Sequence, residues 1–299
     1  MSVGATVRRR VFRIILEAKG AHMKKDFFGV GVILAILTAA SQLYAADATQ
    51  VTWYGQSAFK IVTPKGHVLF IDPWLENPVN KNGKEDLASI DKADLILVSH
   101  GHFDHVGEAA EIAKKTKARL VATFDLGANL ATYGGFPKDQ MGYDTLGNFG
   151  GTLSFFDDEV EITFVPAVHS SSVNRKDLGL GPEEENHWAG SPSGFLIKIK
   201  AGPNIYHTGD TDLFGDMALL RKYGNIDLML ACIGDHFTMG PKGAAEAVKL
   251  VSPKKVVPMH YGTFLPMMTG TPEQFKAALK ALGLDGKFFP MTVGQTERF

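Results

Sequence analysis

The stretch LVSHGHFDHVG, Leu97 to Gly107, places three histidines and an aspartate within six consecutive positions. The whole chain has only ten histidines. A solvated polar turn would explain one such loop; a metal site is the alternative, and the rest of the chain decides between them.

The residues at the ends of the apolar runs settle the choice. ADLILVS ends at His100, EVEITFVPAV at His169, NIYHTG at Asp210, DLMLACIG at Asp235 and His236, and KKVVPM at His260. Each run is short, apolar and rich in β-branched residues, as a buried strand is. Ligands in open α/β sheets gather beyond the carboxyl ends of strands. Five such ends each deliver an imidazole or a carboxylate, which a chance turn does not explain. Imidazole and carboxylate suit zinc and similar divalent ions. In an extended loop His100 and His102 can share one ion, while Asp104 and His105 face a neighbouring one. His169 completes the first set, His260 the second, and Asp210 can bridge both. Two ions about 3.5–4 Å apart polarise a substrate oxygen and lower the pKa of bound water to about 7.

The remaining segments read as a mixed fold. VTWYGQSAFKIVT and GHVLFIDPW form a hairpin about the turn Pro64-Lys65-Gly66, and ARLVATF and SGFLIKIK are further strands. GEAAEIAKKT, LGANLATYG, GPKGAAEAVKLV and TPEQFKAALKAL read as helices, the last with Thr271 as cap and Pro272 at its first position. Hairpins mixed with strand–helix alternation give an α/β or α+β class with layered sheets. Arg175 to Gly194 is a long polar insertion of the kind that forms lids or disordered segments.

The chain has 299 residues and a net charge of −1, with one cysteine, Cys232. No intrachain disulfide and no cysteine-based metal site is possible. Residues 1–45 carry seven Lys/Arg and two Asp/Glu, so the remainder is acidic by six. Nucleic acid is therefore not an expected partner. From Met23, a basic start (Lys24, Lys25), an apolar run (Phe27 to Ala40) and small residues to Ala48 have the layout of a secretory signal peptide. The alternatives are a buried helix or an uncleaved anchor. Residues 1–22 read as a non-native extension upstream of a true start at Met23, or as a long basic signal start. The expectation is 1–22 extension, 23–48 signal, 49–299 functional domain, in the periplasm or secreted, with no stable membrane span after cleavage.

HGHFDH is the signature of the metallo-β-lactamase fold superfamily. IDPWLENP, GNFGGT, PAVHSS, YHTGDTDLFGDM, IGDHFTMGP and VVPMHYGTF further resemble its UlaG-like branch, related to L-ascorbate-6-phosphate lactonase. The likeness runs from about Val51 to Phe264. It implies a four-layer αββα sandwich and a dimetal hydrolase. By position, His100, His102 and His169 match the first metal site; Asp104, His105 and His260 match the second; Asp210 matches the bridge. True class B β-lactamases lack that bridge and use cysteine in the second site, so antibiotic hydrolysis is not expected. Two divalent ions are implied, zinc foremost, with manganese or iron also accommodated.

The expected function is hydrolysis of a small ester, lactone or phosphodiester, with an anionic or polarised small-molecule substrate bound at the metals. Asp104, Asp210 and His236 are the candidate catalytic residues, His236 and Tyr261 the candidate substrate contacts. His236 serves equally as a hydrogen-bond support. Asp72 can orient a ligand histidine or cap a turn; His207 reads as a satisfied core residue. His187-Trp188 echoes N-acyl-phosphatidylethanolamine phospholipases D, making a lipid phosphodiesterase one alternative. A non-catalytic metal-binding module is another, and a homo-oligomer is compatible with the sequence.

Overall fold

Strands β3 (Val68–Ile71), β4 (Leu95–Leu97) and β5 (Arg119–Thr123) show how the sequence builds the frame. They pair in parallel and are almost continuously apolar, as strands covered on both faces are. Side chains alternate between faces. Leu69, Ile71, Leu95, Leu97 and Val121 join one core; Val68, Phe70, Ile96, Val98, Leu120 and Ala122 join another.

This is a computed structural model, and it describes residues 48–299. The readings of 1–22 and of 23–48, apart from Ala48, lie outside the described residues. Among the described residues no helix is long and apolar enough to cross a membrane.

The first sheet is completed by β1 (Gln50–Trp53), β2 (Phe59–Val62), β6 (Leu146–Gly147) and the C-terminal β15 (Thr296–Arg298). Its order is β15-β1-β2-β3-β4-β5-β6. The second contains β7 (Thr152–Phe155), β8 (Val160–Pro166), β11 (Ser193–Ile199), β12 (Asn204–His207), β13 (Leu228–Cys232) and β14 (Lys255–Met259). Its order is β14-β13-β12-β11-β8-β7, with β12, β13 and β14 parallel. Trp53, Phe59, Ile61, Leu69 and Leu97 of the first sheet share one buried core with Ile162, Phe164, Phe195, Ile197 and Leu230 of the second.

Helices cover the outer faces. Helix α1 (Gly83–Ser89) and the short α2 (Phe103–Val106) lead to α3 (Ala109–Thr116) and α4 (Phe124–Thr132). Leu87, Ile112, Ala113, Leu126 and Leu130 from these pack on the first sheet's outer core. Helices α5 (Pro241–Val251) and α6 (Pro272–Ala281) place Ala244, Val248, Phe275 and Leu279 in the core of the second sheet. Thr271 Oγ1 accepts from Gln274 N–H at 3.3 Å and Gln274 Oε1 accepts from Thr271 N–H at 3.0 Å, a reciprocal cap. Helix–sheet–sheet–helix layering agrees with the αββα expectation.

Three local readings differ. VTWYGQSAFKIVT is two strands, broken where Tyr54 N–H bonds Ala58 O and the chain turns through Gly55 and Gln56 at positive φ. The helix read over 107–116 starts at Ala109, because Gly107 at φ 41° ends α2 first. The 175–194 insertion is partly ordered by a ribbon of β9 (Ser172–Asn174) and β10 (Asn186–Trp188).

Candidate metal centre

Two sheets feed one place. His100 lies three residues beyond β4, His169 three beyond β8, Asp210 three beyond β12, and His260 directly follows β14. Asp104 and His105 sit on α2, a single turn that swings both side chains inward. His100, His105, Asp104, Asp210 and His260 are at most 7% exposed.

Two groups of ligand-type atoms form there, His100–His102–His169 and Asp104–His105–Asp210–His260, each with its atoms within 4.8 Å of one another. Asp210 Oδ2 belongs to both neighbourhoods. It lies 2.9 Å from His260 Nε2, 3.2 Å from His105 Nε2, 3.6 Å from His169 Nε2 and 4.0 Å from His100 Nε2. Asp104 Oδ2 is 3.5 Å from His260 Nε2 and 3.6 Å from His105 Nε2.

These atoms suit a divalent cation. Buried polar atoms are normally paired, yet His105 Nε2, His260 Nε2 and Asp210 Oδ1 make no well-directed hydrogen bond. Close approach without hydrogen-bond geometry is what lone pairs converging on a common ion produce. The donor set, imidazole with carboxylate, fits zinc, manganese or iron alike.

The electrostatics separate the two groups. Burial, then the neighbouring His105, holds His100 well below the usual histidine range. Burial and His169 push His102 down to about 4. Both are neutral ligands at pH 7. Burial acts the same way on His105 and His260, but the carboxylates outweigh it. Asp210, Asp104 and Asp72 hold His105 well above its ordinary value, and Asp210 and Asp104 push His260 up to about 9. Burial disfavours the Asp210 carboxylate, yet His105 and His260 hold it well below the usual range. Without an ion, protons occupy the second group.

A ring of outer partners fixes the ligands. Asp72 Oδ2 accepts from His105 Nδ1 at 2.8 Å and from Ser99 Oγ at 2.6 Å, while its Oδ1 accepts from Ser99 N–H at 2.7 Å. Ser99 Oγ is also 3.0 Å from His100 Nδ1. Gln56 Nε2 donates to Asp104 Oδ2 at 2.8 Å, Gln56 Oε1 accepts from Thr263 Oγ1 at 2.5 Å, and Gln56 O accepts from His260 N–H. Gln56, Asp72 and His260 all have positive φ, 45°, 45° and 58°, a costly conformation that persists where surrounding contacts over-determine it. Gly107 is needed for this ring: a Cβ there would lie 2.5 Å from Trp74 Cα, forcing apart the loops that carry Asp72 and His105.

A cavity of about 490 Å³ opens on the centre, lined among others by His102, Asp104, His169, Asp210 and His260. His236 does not line it. Asp235 and His236 make a left-handed turn (φ 65° and 58°) that leaves His236 exposed and puts Phe237 at the cavity instead. Tyr261 also stays out, its ring packed 5.5 Å from that of Trp53. Of the two residues expected to contact substrate, neither is among those that line this cavity. His207 is satisfied between Ser57 O (3.1 Å) and Gly209 N–H (3.1 Å). His187 stacks on Tyr133 at 3.6 Å and Trp188 is 66% exposed, neither lining the cavity. Gln56, Ser99 and Thr263 were not singled out from sequence; Ser99 adjoins the motif, but nothing local marks the other two.

Residues 67–261 match the β-lactamase superfamily domain. The chain belongs to the β-lactamase superfamily. It is 51% identical over 274 residues to a UPF0173 metal-dependent hydrolase of Thermodesulfovibrio yellowstonii, covering 92% of this chain and 98% of that one. A UPF0173 metal-dependent hydrolase of Anaeromyxobacter dehalogenans is 55% identical over 238 residues, 79% of this chain and 82% of that one. Among solved structures, Igni18, a metallo hydrolase from the archaeon Ignicoccus hospitalis, aligns with a TM-score of 0.71 and 33% identity over 84% of this chain and 98% of its own. The UlaG-like resemblance is consistent with this grouping. This superfamily member is a metal-dependent hydrolase.

Proposed function

We propose that the protein is a dinuclear hydrolase, zinc foremost, that cleaves a small ester, lactone or phosphodiester, and that it works in the periplasm or outside the cell. The observation that carries the reading is Asp210 Oδ2, which lies within 4.0 Å of Nε2 of His100, His105, His169 and His260. One carboxylate oxygen serving histidines of both groups is what a bridge requires. His100, His102 and His169 would hold one ion, Asp104, His105 and His260 the other. Divalent ions held there supply an activated water at neutral pH and polarise a substrate oxygen. The chain's own part is placement. Asp72 and Ser99 fix the tautomers of His105 and His100, Gln56 holds Asp104, and burial keeps bulk water from His100 and His105. Export rests on the Met23–Ala48 segment of the sequence.

The test is metal content with turnover of a panel of esters, lactones and phosphodiesters by zinc-, manganese- and iron-loaded protein, alongside Asp210→Asn. Two ions per chain and turnover are expected. Asp210→Asn is expected to lose one ion and more activity than the roughly 10–100-fold that an outer partner's loss costs. Two ions and full activity in Asp210→Asn would remove the bridge. Two ions with no turnover of any class would favour a metal-binding module.

A further inference from the structure

The cavity has a chemically divided wall. Phe103 and Phe264 pack with Trp74, which lies 5.5 Å from Phe103 and 5.8 Å, stacked, from Phe264. The rings of Phe103 and Phe264 are 6.0 Å apart. Phe237 and Met267, 45% and 47% exposed, also line the cavity. Large apolar side chains at a concave site are a place for an apolar ligand group.

The ribbon β9–β10 and the loop that joins its strands add Ser172, Asn174, Asp177 and Asn186 to the lining. Asn186 Oδ1 accepts from Asn174 Nδ2 at 3.2 Å. The Asp177 carboxylate has no hydrogen bond or ion pair among the described residues. Among the described residues no lysine or arginine lines the cavity. The two nearest along the chain are spent elsewhere: Arg175 pairs with Glu183 and donates to Tyr133 O and Leu180 O, and Lys176 pairs with Glu184. Metal ions would serve one anionic or polarised group at the reacting centre. A second anionic group, further out, meets Asp177 and, among the described residues, no compensating cation.

We propose that the site takes an amphiphilic ester or lactone with an apolar arm against Phe103, Phe237, Phe264 and Met267 and a neutral hydroxylated or cationic arm at Asn174, Asp177 and Asn186, and that it disfavours substrates with a second, distal anionic group. The inference rests on the hydrolytic reading above. It separates this chain's substrate from phosphorylated sugars, whose remote phosphate would need a cation on this wall.

The test uses the zinc-loaded full chain and aryl esters of one acyl length whose distal end is trimethylammonium, methyl or carboxylate. The ammonium ester is expected to exceed the carboxylate ester in kcat/KM by about three- to ten-fold at low salt, the ratio shrinking at high salt. Asp177→Asn should bring that ratio to within about two-fold, and Asp177→Lys should invert it. Hydroxamates with the same distal ends, titrated by calorimetry, read the wall without chemistry. The same order among hydroxamates with no ester turnover would uphold this inference and sink the ester reading. An equal or preferred carboxylate end in either series, or a ratio indifferent to Asp177→Asn, would overturn the inference.

Discussion

Asp72→Asn tests how the centre is assembled, because it changes one buried charge and no shape. Asp72 is fully buried with φ 45°, a conformation that asparagine tolerates as well as aspartate. A carboxylate only accepts hydrogen bonds, so His105 Nδ1, 2.8 Å away, must carry its proton, which leaves Nε2 as the nitrogen that gives up its proton to an ion. Ser99 Oγ gives its single hydrogen to Asp72, so its oxygen accepts from His100 Nδ1–H and fixes that ring likewise. The amide has no good solution here. With its NH₂ toward His105 it donates to Nδ1 and drives the proton onto Nε2, where an ion would bind. Flipped, its NH₂ faces Ser99 N–H, leaving a buried donor unpaired at a cost of about 1–3 kcal/mol. Metal affinity should fall about 10–100-fold, or roughly 1.4–2.8 kcal/mol. Ser99→Ala keeps the Asp72–His105 contact and should cost less, about 1 kcal/mol. Competition for zinc against a chromogenic chelator, with circular dichroism to confirm folding, gives the numbers. Zinc affinity and turnover unchanged in a folded Asp72→Asn would refute the tautomer argument.

Titration and metal removal give further expected outcomes. At pH about 7.5 metal loading should release about two protons, from His105, held well above its usual value, and His260, at about 9, and none from His102, at about 4; calorimetry in buffers of different ionisation enthalpy would show zero release if the reading is wrong. Burial raises Glu108 to about 7 from 4.5, despite two backbone donors at Leu75 and Glu76. The folded state therefore keeps that proton longer than the unfolded one, so its contribution is full below pH 4.5 and is lost as pH rises through about 7; Glu108→Gln should flatten this slope in denaturant midpoints, and an unchanged slope would assign it elsewhere. Stripping metal by chelation should lower the melting temperature reversibly, by an amount matching about 4 kcal/mol per site at ion concentrations near 1,000 Kd; no shift on chelation and re-addition would argue against ions binding the folded state.

Physical range decides how much of this was legible in the sequence. Strand ends were readable because parallel strands buried on both faces must be apolar runs, and polar residues at their ends stand out. LILVSHGH and MLACIGDH are such cases. The αββα layering came from resemblance, since periodicity alone does not say which strands share a sheet. His236 lies outside the cavity lining for a physical reason. A residue's position at a strand end is visible in sequence, but the two consecutive left-handed residues that turn it away are not. Gln56 was missed because its contacts reach Asp104, His260 and Thr263, far along the chain, and an isolated glutamine carries no local signal. The short ribbon β9–β10 escaped because its strands have little apolar pattern.

The distribution of ligands over both sheets gives the site a dependence that no single motif has. His100, His102, Asp104 and His105 follow β4 of the first sheet, while His169, Asp210 and His260 follow strands of the second. The contact between Asp210 Oδ2 and His105 Nε2, 3.2 Å, therefore spans the sandwich, as does the bond from His260 N–H to Gln56 O. Three buried carboxylates, Asp72, Asp104 and Asp210, meet there, and buried charges destabilise a fold unless paired. Four of the ten buried side-chain polar atoms without a hydrogen-bond partner among the described residues belong to His105, Asp210 and His260. The largest single group of such atoms in the described domain thus sits at its candidate metal centre. Protons on His105 and His260 offset that cost only in part, because a proton answers one lone pair and a cation answers several at once. An ion bound there would join the two sheets at the point where the fold is least satisfied, which makes the affinity of the site and the stability of the sandwich two readings of one interaction.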